Sequence, residues 1–141
     1  MFVLDTDTLS HSQRSGTTIA LAVAARIETC GQPVVVTMVT FAEQVKGRLA
    51  QCSAAKTPEA YITRLGWLRR TIEDYRHRTI LDFDDRSAAE FKKLKAAKIR
   101  VGTMDLRIAS IALALDATLV SANLSDFRLV PGLKVEDWTA A

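Results

Sequence analysis

Phe2-Val3-Leu4-Asp5-Thr6-Asp7 is the stretch on which the fold turns. Three apolar residues followed by an acid read as a short buried strand ending at Asp5. A carboxylate at that position loses hydration, and it needs a partner to offset the loss. Further along, Val34-Val35-Val36, Thr79-Ile80-Leu81 and Ala117 to Ser121 repeat the pattern of short apolar runs, and Leu133-Lys134-Val135 suits a strand at the sheet edge. In open α/β sheets ligands sit beyond the carboxyl ends of the strands, so Asp5 stands where a site forms.

Helical patterns fill the intervals. After a polar loop, Ser10 to Gly16, Thr17 or Thr18 can cap a helix carrying Ile19, Ala22, Val23 and Ile27, which Gly31 and Pro33 close. Thr40 can cap a helix with Phe41, Val45 and Leu49 on one face. A longer helix is predicted from about Glu59 to Tyr75, with Ile62, Leu65, Leu68 and Ile72 inward. Arg86 to about Lys98 forms the next, with Ala88, Phe91 and Leu94 inward. Thr103 can cap a helix from Met104 to Leu115 that is apolar on most sides and therefore deeply buried. Strands alternating with helices predict an α/β fold, a single domain over residues 1–141 with a mainly parallel central sheet of four to five strands flanked by helices.

Composition limits the chemistry. At 141 residues with 48% hydrophobic and 25% charged, the chain can bury a core without disulfides or a structural metal. Cys30, Cys52, His11 and His77 are isolated and show no zinc-ligand spacing, so any metal must be held by oxygen, which points to magnesium or manganese. Asp5 and Asp7 stand where a secretory leader would be apolar, and the run Ile19 to Ala25 is too short to cross a bilayer. The expectation is a cytoplasmic protein that does not engage a membrane. Net charge is +3, from 19 bases and 16 acids; with four acids assigned to a site, the remaining twelve leave the rest of the surface at +7. A basic surface around an acidic pocket suits a polyanion whose phosphate is delivered to a bound cation, although an ordinary solvated surface has the same composition.

The acids carry most of the signal. Glu43 falls in the first turn of the helix after the second strand, Asp105 in the first turn of the most buried helix, and Asn123 and Asp126 follow the fourth strand. Taken singly, Glu43 and Asp105 are explained by helix-dipole complementarity and Asp126 by a turn. Convergence is a different matter: four acids from distant elements at one sheet edge repel each other unless a divalent cation joins them.

Four segments, in order, resemble the motifs of PIN-domain ribonucleases: Phe-Val-Leu-Asp-Thr-Asp-Thr-Leu-Ser (2–10), Val-Thr-Met-Val-Thr-Phe-Ala-Glu-Gln (36–44), Gly-Thr-Met-Asp-Leu-Arg-Ile-Ala (102–109) and Leu-Val-Ser-Ala-Asn-Leu-Ser-Asp-Phe (119–127). Val-Glu-Asp-Trp (135–138) is similar to the end of VapC-type toxins within that group. The resemblance implies a PIN-like domain in which Asp5, Glu43, Asp105 and Asp126 are the catalytic acids, with Asp5 and Asp105 as metal ligands. Asp126 matches the acid before Phe, with Asn123 assisting; Asp7 replaces an asparagine common in relatives and takes a supporting place, and Thr6 and Ser121 orient a carboxylate or water. The implied activity is Mg2+- or Mn2+-dependent hydrolysis of RNA to 5′-phosphate and 3′-hydroxyl ends. The implied partners are a VapB-like antitoxin that covers the site and a second copy of the chain, a homodimer.

Other readings compete. Asp5-Thr6-Asp7-Thr8 also fits the first motif of haloacid-dehalogenase-like aspartyl-phosphate phosphatases, with Asp5 as nucleophile and Asp7 as general acid, but Asp84-Asp85 comes too early for their late carboxylate pair. A receiver-like binding module needs a later lysine that nothing convincing supplies. Two basic clusters, Lys92 to Arg100 and Arg64 to Arg78, suit either a phosphate backbone or a solvated helix face. Trp67 suits base stacking or partial burial beside Leu65 and Leu68, and Met38 and Met104 read as core.

Overall fold

Asp5 does more than end a strand. The computed structural model describes residues 1–140. In it β1 (Phe2–Leu4) passes straight into α1 (Thr6–Ser12), and Asp5 caps that helix by accepting the Thr8 N–H at 2.8 Å. The loop expected over Ser10 to Gly16 therefore begins later, because Ser10 to Ser12 belong to the last turn of α1. Thr, Asp and Ser are indifferent helix formers, so the pattern hid a helix that the cap and the buried Leu9 hold in place.

α2 (Thr18–Thr29) is capped by Thr17, and β2 (Val34–Thr37) follows. α3 (Met38–Ser53) starts without a loop, and its cap is Thr37 rather than Thr40: the Thr37 hydroxyl accepts the Thr40 N–H at 3.1 Å. Glu43 consequently lies in the second turn of α3, where dipole complementarity no longer accounts for it. Met38, at the first position of α3, is 39% exposed, contrary to its reading as core.

α4 (Pro58–Arg76), β3 (Ile80–Leu81), α5 (Asp85–Ala96) and α6 (Thr103–Ala114) come next. Asp84 caps α5, whereas Gly102 occupies the cap position of α6 in place of Thr103. β4 (Thr118–Val120), the short α7 (Leu124–Phe127) and β5 (Lys134–Glu136) complete the chain. The five strands form one all-parallel sheet in the order β3-β2-β1-β4-β5. This is the α/β fold with a parallel sheet that the sequence predicts.

Alternate strand residues divide the core into two layers, as the period of two requires. Phe2, Leu4, Val36 and Val120 face Leu9, Val23, Tyr75 and Trp138. Val3, Val35 and Leu119 face the other way, against Val39, Leu94, Phe127 and the deeply buried side of α6 formed by Leu106, Ile108 and Ile111. α4 departs from its expected orientation. Ile62, Leu65 and Ile72 are 71%, 40% and 43% exposed, while Thr71 and Tyr75 are buried. The helix is turned so that a polar and aromatic face meets α3: the Arg48 Nε–H donates to Thr71 Oγ1 at 3.2 Å, and Tyr75 packs edge-on against Phe41 at 4.6 Å.

Phe127, fully buried at the end of α7, fixes the short helix that carries Asp126. Phe127→Ala is expected to destabilise the fold by about 3–5 kcal/mol, the usual cost of an emptied aromatic site. Urea denaturation measures this, and a loss below about 1 kcal/mol would mean that α7 is held by something else.

Candidate active site

With every strand parallel, all the carboxyl ends open at one edge of the sheet. Asp5 follows β1, Ser121 follows β4, Glu43 projects from the helix after β2, Asp105 lies in the first turn of α6, and Asp126 lies in α7. Their charges meet at Asp105. Burial pushes its carboxyl pKa up to about 6, and the negative charges of Asp5, Glu43, Asp7 and Asp126 push in the same direction. Four elements distant in sequence thus share one electrostatic site.

Asp5 is only 3% exposed, and burial raises its pKa above the usual carboxylate range. The Thr8 N–H counters that shift by donating to the ionised form at 2.8 Å, and the nearby Ser121 hydroxyl acts in the same direction. Thr8 Oγ1 is buried beside Asp5 without a full hydrogen bond of its own, and its proximity again favours the charged carboxylate. Ser121 is fully buried and its Oγ accepts the Asn123 N–H at 2.9 Å, which ties the loop after β4 to Asp5.

Two other acids have neutral donors. Thr6 Oγ1 donates to Glu43 Oε1 at 2.8 Å and lies 3.0 Å from the Thr40 hydroxyl. Asn123 Nδ2 donates to Asp126 Oδ2 at 2.9 Å, so both candidates for the fourth position are present and joined to each other. Asp7 is exposed in the first turn of α1 and bears on the site through its charge alone. Among the described residues the Asp105 carboxylate has no hydrogen-bond donor, which leaves its raised pKa uncountered.

The donor set is hard oxygen, which suits a small divalent cation. No group of three or more His, Cys, Asp and Glu side chains among the described residues is arranged to hold a metal ion. The chemistry of the donors fits a divalent cation, while their arrangement does not by itself form a ready-made cage for one.

Sequence reasoning gave no site role to Thr8, Gln13 or Gln44, and read Thr40 only as a helix cap. Gln44, next to Glu43, donates to Ser10 Oγ and to Gln13 Oε1, both at 3.0 Å, and accepts the Tyr75 hydroxyl at 2.9 Å. The placement of Thr8 three residues after a capping aspartate was the one signal available for that residue.

No protein-family model and no curated protein sequence matches the chain. Solved structures do. The VapBC-1 structure from nontypeable Haemophilus influenzae contains a chain that aligns with TM-score 0.76 and 23% identity, covering 99% of this chain and 98% of that one. DNA-bound VapBC from Salmonella typhimurium gives 0.70 and 23%, with 97% of each chain covered. VapBC-5 from Mycobacterium tuberculosis, a member of the VapBC family of toxin–antitoxin systems, gives 0.57 and 26%, covering 98% and 97%. The fold is therefore one found in VapBC complexes, as the resemblance in the four motifs implies.

The raised pKa of Asp105 has a thermodynamic consequence. Between the ordinary value of 3.8 and about 6 the folded chain holds a proton that the unfolded chain has released. Stability of the metal-free protein should therefore fall as pH rises through that window, and the cost persists above it. Asp105→Asn is expected to stabilise the protein in chelator near neutral pH by roughly 1 kcal/mol, allowing for solvent screening of a half-buried group, and to give no gain near pH 4. Urea denaturation at the two pH values checks this; equal stabilities at both would place Asp105 outside the shared field.

Proposed function

We propose that this chain is a Mg2+- or Mn2+-dependent endoribonuclease acting as the toxin of a two-protein toxin–antitoxin system. The observation that carries the reading is the convergence of Asp5, Glu43, Asp7 and Asp126 on the charge of Asp105, against the mutual repulsion this entails. Asp5 and Asp105 are the proposed metal ligands, with Glu43 and Asp126 completing the site. A bound ion would neutralise charge on the scissile phosphate and acidify the attacking water. The chain's own groups hold the acids in position: Thr6 fixes Glu43, Asn123 fixes Asp126, and the Thr8 N–H together with Ser121 fixes Asp5. The half-buried Asp105 has the least stabilised negative charge and so gains most from a cation.

The likeness to chains of VapBC structures supports the toxin role and a VapB-like antitoxin as partner. Ile62, Leu65 and Ile72, exposed along one stripe of α4, supply apolar surface for a protein partner or a second copy in a homodimer. No helix among the described residues is long and apolar enough to cross a membrane. The phosphatase reading requires Asp5 as an accessible nucleophile; a 3% exposed, helix-capping carboxylate is poorly placed for that role.

Wild type, Asp5→Asn and Asp105→Asn are to be compared on a mixed pool of structured RNAs with magnesium, with manganese and with chelator. Metal-dependent cleavage is expected for wild type and a loss of at least about 100-fold in each folded variant, the scale of removing a metal or a principal electrostatic group. Cleavage that survives both substitutions would overturn the assignment.

A further inference from the structure

Two adjoining hollows lie between α1, α3 and α4, with volumes of about 340 and 500 Å³. Both are lined by Gln13 and Arg48, so they form one cleft. Arg14 lines the first part, and Trp67, Arg70 and Arg78 line the second. The lining contains four arginines and one acid, Asp74, which is already engaged by Arg78 at 2.8 Å and by Gln13 at 2.9 Å. Arg14 and Arg70 are exposed and make no ion pair among the described residues.

None of the candidate acids lines the cleft, but Gln44, which does, is the residue after Glu43. Thr6 on α1 bonds Glu43 on α3, and one turn further along Ser10 on α1 bonds Gln44 on α3. Gly47, which lines the first hollow, follows Glu43 by four residues and so lies on the same face of α3 one turn further along, about 6 Å away along the axis, and Arg48 follows it in the lining. A strand with one phosphate at the carboxylates therefore has a cationic path for its neighbours. The Arg48 guanidinium lies over the Trp67 ring, 5.7 Å from its centroid, so a planar cation and a half-buried indole share the second hollow. A basic groove with an aromatic platform is the arrangement that holds single-stranded nucleic acid, by phosphate contacts and base stacking. An acidic peptide is the less suitable occupant. Stable peptide docking needs apolar pockets for anchor side chains, and Trp67 is the one large apolar group in this lining.

We propose that this cleft binds the single-stranded RNA flanking the cleaved bond, with phosphates on Arg14 and Arg70 and a base stacked at Trp67. The assignment rests on the nuclease reading, and its test separates the two. Binding of a labelled single-stranded RNA of about ten nucleotides is measured by fluorescence anisotropy in chelator, where no cleavage occurs, at several salt concentrations. The full chain is compared with R14Q/R70Q, Trp67→Leu and Trp67→Phe, each verified as folded by circular dichroism and thermal melting. R14Q/R70Q is expected to weaken binding tenfold or more and to lower the log–log salt slope by about 1.4, roughly 0.7 per lost phosphate contact. Trp67→Leu is expected to weaken binding about tenfold, with Trp67→Phe recovering most of the loss because stacking tolerates either ring. In magnesium the same variants should raise KM for RNA rather than lower kcat.

RNA affinity and salt slope unchanged in the folded variants would overturn the cleft even if wild type cleaves RNA. So would a wild type that binds no RNA at low salt, or variants that lose affinity for poly-glutamate while keeping it for RNA. Wild type that binds RNA through these residues but never cleaves it would sustain the cleft and overturn the nuclease reading.

Discussion

The burial of Asp5 is the constraint on which the rest depends. A carboxylate 3% exposed at the end of the central strand is stable only where donors converge on it. One of its oxygens accepts the Thr8 N–H, so the group that ends β1 also starts α1. That double use fixes the direction in which α1 leaves the sheet. Thr6 thereby comes to Glu43, and Ser10 and Gln13 come to Gln44. Moving or removing Asp5 would disturb the cap, the α1–α3 contact and the candidate site together.

The five acids are not equivalent, and hydrogen bonding separates them. Asp5, Glu43 and Asp126 each have a donor within 2.9 Å, and Asp7 is exposed to water. Asp105 has neither a donor nor full solvent, only the first turn of α6 to favour its charge. Burial, and then the charges of the neighbouring acids, push its pKa up to about 6. Under the proposed function, a cation would act where the charge is least satisfied.

The sheet and the acids were legible because each leaves a strong local mark. Short β-branched runs bounded by polar residues gave all five strands to within two residues at either end, and the apolar surround of Ile108 and Ile111 gave the burial of α6. The convergence of the acids followed from parallel strands having their carboxyl ends together. What stayed hidden was set by single hydroxyls and by tertiary contacts. Nothing in the pattern chose Thr37 over Thr40 as the cap of α3, yet that choice moves Glu43 from the first turn to the second. α1 was invisible because its stability comes from Asp5 and from the buried Leu9, not from residues that favour helix.

The rotation of α4 was the largest departure, and it follows from the assumption that apolar residues point inward. Facing α3, the helix instead presents Thr71, Tyr75 and the half-buried Trp67, which find Arg48, Gln44 and Phe41 as partners. A polar interface of this kind is stable only if its donors and acceptors are matched, and the network from Tyr75 through Gln44 and Gln13 to Asp74 and Arg78 provides the match. Turning those residues inward necessarily turns Ile62, Leu65 and Ile72 outward. The cationic cleft beside the acids and the apolar stripe on the outer side of α4 are thus two consequences of one helix orientation. The opposite rotation would bury the three apolar side chains but would expose Tyr75 and break the network through Gln44 and Gln13. The stripe and the cleft are the two surfaces on which the proposed partner contact and the proposed RNA contact rest.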